Sequence, residues 1–249
     1  MDVVVLAGGL GTRLRRVLPD TPKPLAPVAG RPFVAWVLDY LAHVEPGHVY
    51  LSTGYLAERF AAFVRDAWLH NVSCVAESGP MGTAGGFLNV VGQAQTVPDA
   101  WLVCNGDSLV MADLRPMLDA WRADPAAGAL VGVEVEDAAR YGTLDVAADG
   151  TLRGFREKQP GAGLINAGIY LFPHAWTSEW SSKRPLSFEF DVFPALLAQG
   201  RRLHVHRVRA PFLDIGTEAS YEEAEQFILR NPHWFASARR ENERPTAWK

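Results

Sequence analysis

Residues 6–32 read LAGGLGTRLRRVLPDTPKPLAPVAGRP and follow directly on a short apolar run, 3–6. An apolar strand through Leu6 and Ala7 that ends in Gly8, Gly9 and Gly11 can reverse its backbone and turn N–H groups toward an anion, because glycine lacks the Cβ that forbids such turns. Thr12 and Arg13 are expected to face the same anion. Arg13 carries a planar fork of donors suited to phosphate, whereas Lys23, held between Pro22 and Pro24, carries a compact charge on stiffened, extended backbone. Two kinds of cation suggest two phosphates, and the stretch reads as a triphosphate-handling loop. The plainer alternative is a strand–turn–helix with surface charges, against which the proline-clamped lysine weighs.

Two better-known phosphate loops do not fit. Gly9-Leu10-Gly11-Thr12-Arg13-Leu14 puts leucine where the dinucleotide fingerprint needs a third small residue, and no G-x-x-x-x-G-K-[ST] string occurs. A nicotinamide enzyme and a P-loop NTPase are both disfavoured.

The chain of 249 residues is 48% hydrophobic and 21% charged, with formal net charge −4, which describes an ordinary globular protein. No apolar run approaches the roughly 20 residues of a membrane span, and a strand rather than a charged leader opens the chain. A cytoplasmic protein without a membrane partner is expected. Mild acidity and the lack of a basic cluster argue against a nucleic-acid partner. Cys74 and Cys104 lie in apolar runs without metal spacing and are expected to be buried free thiols.

Strand-like runs at 3–6, 48–52, 73–76, 101–105 and 129–135 alternate with helical periodicity at 33–44, 57–68 and 114–122, the pattern of a parallel α/β sheet. Beyond 135 come short strands at 142–146, 152–156 and 166–172, with Asp149-Gly150 as a hairpin turn, as in a smaller antiparallel or mixed lobe. A helix at 188–197, a strand at 203–208 and a final helix at 218–229 follow. One domain is expected over 1–231, in two parts that divide at about residue 135. The polar tail, 232–249, reads as a docking arm or disordered chain.

Open α/β sheets bind ligands beyond the carboxyl ends of their strands. Asn105, Gly106 and Asp107 end one apolar run, and Asp107 can coordinate a hard cation bridging phosphates or cap a turn. Asp214, in Phe212-Leu213-Asp214-Ile215-Gly216-Thr217, is the matching candidate, with Thr217 as the cap of the next helix. Two aspartates from distant segments suggest one Mg²⁺ site. The segment from Glu77 to Gly86, ESGPMGTAGG, has small residues that let a flat base approach the backbone. Glu157-Lys158 pairs a cation for phosphate with an acceptor for hydroxyls, although such pairs are commonly only solvated. Asn166 and Gly168 supply an amide and a close-approach position on the next strand.

The paired strings GLGTRL and PKPL resemble the signature of the sugar-1-phosphate nucleotidyltransferases, and later motifs extend the resemblance to about Tyr221. It implies an α/β, Rossmann-like nucleotidyltransferase fold: a central mixed, mostly parallel sheet flanked by helices, with a small sugar-binding sub-lobe. It places metal binding on Asp107 and Asp214 and base contact on Glu77, Gly82 and Thr83. Sugar 1-phosphate contact falls on Glu157, Lys158, Asn166 and Gly168, with Tyr141, Gly142 and Glu189 as further sugar-facing positions. A cap at Ser187 explains part of the last segment equally well. The full set of strings, including SGPMGTAGG, RYGTLDV, GLINAGIY, SFEFDVF and FLDIGT, looks most like the heptose-1-phosphate guanylyltransferase branch, which the compact length also fits.

The implied partners are a nucleoside triphosphate and a sugar 1-phosphate, and a homo-oligomer stays open. The implied reaction is in-line attack of the sugar-1-phosphate oxygen on the α-phosphorus with release of pyrophosphate. Arg13 and Lys23 would hold the departing group and Lys158 the attacking phosphate. A mannose- or glucose-1-phosphate enzyme using GTP, UTP, CTP or dTTP is the nearest alternative. A nucleotide-sugar sensor that catalyses nothing is the alternative of another class.

Overall fold

In a computed structural model, the described residues are 1–235 apart from Leu10, Thr12, Arg13, Arg15 and 157–160. In chain order the elements are β1 (Asp2–Leu6), β2 (Pro27–Val28), β3 (Arg31–Pro32), α1 (Phe33–Leu41), β4 (Val49–Thr53), α2 (Ala57–Asp66), β5 (Val72–Ala76), α3 (Thr83–Gln93), β6 (Ala100–Asn105), β7 (Ser108–Val110), α4 (Arg115–Ala123) and β8 (Gly128–Val135). There follow β9 (Thr143–Val146), β10 (Leu152–Arg156), β11 (Gly163–Pro173), a π-helical turn (Phe188–Val192), α5 (Phe193–Ala198), β12 (Leu203–Val208), β13 (Phe212–Asp214), α6 (Glu218–Glu222) and α7 (Ala224–Arg230).

Among the described residues nine strands form one sheet in the order β10-β9-β11-β6-β1-β4-β5, with β8 also on β11 and β12 on β8. β6, β1, β4 and β5 run parallel, and β11 joins antiparallel to β6. Both faces are covered, so the strands are apolar throughout: Val3 and Val5 belong to one core layer with Phe33, Val37 and Phe60, while Val4 belongs to the other with Phe87 and Trp101. That split is the period-2 alternation of a strand buried on both sides.

The antiparallel strands after residue 135 continue the central sheet. Asp149-Gly150 does turn β9 into β10, with Gly150 at φ +83°. The helix expected over 33–44 ends as an α-helix at Leu41 and runs on as a 3₁₀ turn. The one over 188–197 opens as the π-helical turn, in which the Phe193 N–H donates to Phe188 O. The last helix is divided at Glu223. Cys104 is a buried free thiol as expected, but Cys74 is only half-buried because its strand ends the sheet. At the start of the expected tail, Phe235 is fully buried and meets Trp36 edge-on at 5.1 Å; residues 236–249 lie outside the described ones.

Of the short strands that went unread in the sequence, β2, β3, β7 and β13, the last two matter most. β7 pairs antiparallel with β13, setting Asp214 opposite Ser108, next to Asp107.

Candidate active site

A pocket of about 430 Å³ opens at the carboxyl ends of β1 and β6. Its walls include Leu6, Ala7, Gly8, Gly9, Gly11, Lys23, Glu77, Gly82, Thr83, Asn105 and Asp107, all expected from the sequence, together with Pro24, Pro80, Met81 and Gly216. Gly106 is absent from the lining; its N–H donates to Leu6 O at 2.9 Å, tying the end of β6 to that of β1. Thr12, Arg13, Glu157 and Lys158 lie outside the described residues.

Lys23, between Pro22 and Pro24, is not on extended backbone as expected but opens a 3₁₀ turn, Lys23–Leu25. Its Nζ donates to Asp107 Oδ2 at 2.6 Å and to Asp214 Oδ1 at 3.2 Å. The lysine side chain is 11% exposed, so the pairing is largely shielded. The carboxylates come together through the β7–β13 pairing, and the ammonium between them offsets their repulsion. Thr217 caps α6 and shares a reciprocal capping box with Ser220, so the capping role falls to Thr217 and leaves Asp214 free for Lys23.

Among the described residues no group of three or more His, Cys, Asp or Glu is placed to hold a metal ion. Two carboxylates nonetheless suit a small hard cation that takes its remaining ligands from phosphate oxygens and water. The oxygen-only donor set of Asp107 and Asp214 fits a divalent cation on those terms.

The expected base loop is built around Glu77. Glu77 Oε1 accepts from Ser52 Oγ–H at 3.2 Å and Oε2 from Met81 N–H at 3.3 Å. A Cβ on Gly8 would run into Glu77 Oε1, and one on Gly86 would come within 2.6 Å of it. The carboxylate therefore fills the space that glycine leaves between the β1 loop and α3. Half burial raises the Glu77 pKa, against which the Met81 and Ser52 donors pull it down. The sequence reading missed Ser52, which is fully buried; the signal was there, since Ser52 and Thr53 close an apolar run as Asn105 closes another.

Thr83 lines the pocket, but its hydroxyl oxygen accepts from Phe188 N–H at 3.0 Å. The link is reinforced by Leu186, whose N–H donates to Met81 O at 2.8 Å and whose carbonyl accepts from Ala84 N–H and Gly85 N–H. Beneath it the rings of Phe172 and Phe188 stack at 5.3 Å, with Phe87 and Phe193 around them. The segment 186–198 is thus pinned to both α3 and β11. Ser187 caps it, its side chain accepting from Phe190 N–H.

That anchoring brings Glu189 to β11, where Asn166 Nδ2 donates to Glu189 Oε1 at 3.2 Å and to Tyr170 Oη at 2.9 Å. Gly168, at φ +73°, packs so tightly that a Cβ would overlap the Asn105 amide, which joins this side to the pocket wall. Tyr141 meets Phe212 edge-on at 5.8 Å, on the strand that ends in Asp214. A Cβ on Gly142 would find only ordinary contact, 3.6 Å from Arg156 O, so packing does not demand glycine there.

Residues 2–231 match the model of the nucleotidyl transferase family. The chain is 35% identical over 235 residues to mannose-1-phosphate guanylyltransferase of Mycobacterium tuberculosis, covering 92% of this chain and 65% of that one. It is 31% identical over 229 residues to D-glycero-alpha-D-manno-heptose 1-phosphate guanylyltransferase of Aneurinibacillus thermoaerophilus, covering 91% and 97%. The crystal structure of HddC from Yersinia pseudotuberculosis complexed with GMP-PN superposes with a TM-score of 0.79 at 31% identity, over 90% of this chain and 98% of that one. The mixed, mostly parallel sheet flanked by helices is shared with it, and the chain belongs to the nucleotidyl transferase family.

Proposed function

We propose that the protein is a sugar-1-phosphate guanylyltransferase, joining GMP from GTP to a manno-configured heptose 1-phosphate and releasing pyrophosphate. The carrying observation is the Lys23–Asp107–Asp214 constellation at the mouth of a glycine-walled pocket. Guanine and a manno-configured sugar are supported by the relatives, named for mannose and for heptose 1-phosphate.

In this reading a phosphate oxygen of the sugar 1-phosphate attacks the α-phosphorus, the bond from that phosphorus to the bridging oxygen breaks, and pyrophosphate leaves with the electron pair. Catalysis rests on positioning and charge stabilisation, with no covalent enzyme intermediate. The backbone from Gly8 to Gly11 cradles the triphosphate, with Arg13 and Lys23 on the leaving group. Asp107 and Asp214 would hold Mg²⁺, which when bound supplies positive charge to the phosphate oxygens. Lys158 steadies the attacking phosphate, Asn166 donates to a sugar hydroxyl through its amide, and the Glu189 carboxylate accepts from one. Glu77 holds the pocket floor through Ser52 and Met81.

The test is pyrophosphate release with Mg²⁺, GTP, ATP, UTP, CTP and dTTP each set against heptose, mannose and glucose 1-phosphates. Release with GTP and heptose 1-phosphate is expected. Preference for mannose 1-phosphate would move the sugar, another base would discard the guanylyl claim, and no release with any pair would overturn the enzyme.

A further inference from the structure

β5 ends the central sheet beyond β4. Its sequence, VSCVA, carries no charge, proline or bulge of the kind that normally blunts a sheet edge. β10, at the other end of the strand order, carries Arg153 and Arg156.

The hydrogen bonding of β5 shows which groups remain on offer. Asn71 O accepts from Val49 N–H and Glu77 N–H donates to Thr53 O, so residues 71, 73, 75 and 77 turn their backbone groups toward β4. Val72, Cys74 and Ala76 turn theirs outward. Two of those outward groups are satisfied within the chain: Val72 N–H donates to Leu69 O, and Ala76 O accepts from Asn89 Nδ2. Among the described residues, Val72 O, both groups of Cys74 and Ala76 N–H are left without a partner.

This set is its own complement under a two-fold axis. In an antiparallel pair centred on Cys74, the Cys74 N–H and C=O of each copy meet those of the other, and each Ala76 N–H meets a Val72 carbonyl. The inwardly satisfied Val72 N–H and Ala76 O end the ladder on both sides. We propose that two copies of this chain pair through β5, joining their sheets into one across an isologous two-fold interface.

An apolar contribution stands beside it. Trp68, at φ 52° just before β5, is 78% exposed, and tryptophan is a residue type enriched at interface anchors.

The pairing sets the two Cys74 residues directly opposite, with Cα atoms about 5.5 Å apart, within disulfide reach. Light scattering on the whole protein should give twice the 27.3 kDa chain mass. Copper–phenanthroline oxidation should then trap a covalent dimer; Cys104, 3% exposed, is too buried to serve. Cys74→Ser should lose the covalent band and keep the doubled mass, and Ala76→Pro, which removes a ladder donor, should yield monomer. If Ala76→Pro does not fold, the trap on the unmodified chain decides alone. A single-chain mass at 100 µM, or a dimer that oxidation leaves uncrosslinked, overturns the pairing.

Discussion

The Lys23 ammonium stands 2.6 Å from Asp107 Oδ2, joining residues 84 positions apart, and its second bond reaches Asp214 on a third segment. Three chain segments are thereby locked at one point. Replacing Lys23 by Met leaves two neighbouring carboxylates without their counter-ion. We expect turnover to fall on the order of 10²–10³-fold and stability to drop by about 2 kcal/mol, because an unpaired, partly buried charge is left behind. Steady-state kinetics and urea unfolding check both, and Asp214→Asn added to Lys23→Met should recover part of the stability but none of the rate.

Thr83→Val keeps the shape of the side chain and removes the acceptor for Phe188 N–H. Phe188 is 1% exposed, so its amide is left unpaired at a cost of about 1–3 kcal/mol. Because Glu189 follows at once, the apparent KM for the sugar 1-phosphate should rise several-fold while that for the nucleotide changes less. Equal effects on the two substrates would show that the 186–198 segment does not position the sugar.

Gly168→Ala places a Cβ against the Asn105 amide at a backbone φ of +73°. The left-handed conformation alone costs an L-residue about 1–2 kcal/mol, and the overlap adds to it. A fall in Tm of at least about 4 °C is expected by calorimetry. Gly200→Ala shares the positive φ but meets no neighbouring atom, and should cost less.

Burial raises the Glu77 carboxyl above its ordinary value of 4.5. The folded chain therefore binds that proton more tightly than the unfolded chain. The contribution to stability is complete below pH 4.5 and is lost as pH rises through the higher folded value. Glu77→Gln removes the titration, so its stability relative to the parent should improve as pH rises over that window, whatever constant offset the Met81 contact adds. Urea midpoints measured at several pH values read the slope, and parallel curves would contradict it.

Arg13, outside the described residues, is assigned to the leaving group from the sequence alone. Arg13→Ala should lower turnover on the order of 10²–10³-fold with the fold intact by circular dichroism. A near-normal rate would remove Arg13 from the mechanism.

The residues that read most clearly in the sequence are those whose chemistry is local. The glycines of 8–11 and the prolines on either side of Lys23 restrict backbone wherever they occur, and the apolar runs of β1, β4 and β6 declare strands buried on both faces. Asp107 and Asp214 were legible as candidates because each closes an apolar run, and the order of motifs carried the family. What pairs across distance was not legible. β7 and β13 have three residues each, too short for a period to show, yet their pairing brings Asp107 and Asp214 to one ammonium. The same holds for Thr83, which reads as a loop hydroxyl and acts as the acceptor that ties Phe188, and with it Glu189, to α3. Ser52 reads as the end of a strand and turns out to support Glu77. By itself the sequence determined the strand order of chemistry, which residue types stand at strand ends, because backbone restriction and burial period act within a few residues. Only the tertiary structure decided which of those ends meet, because ion pairs and hydrogen bonds between segments depend on distances that chain separation does not encode.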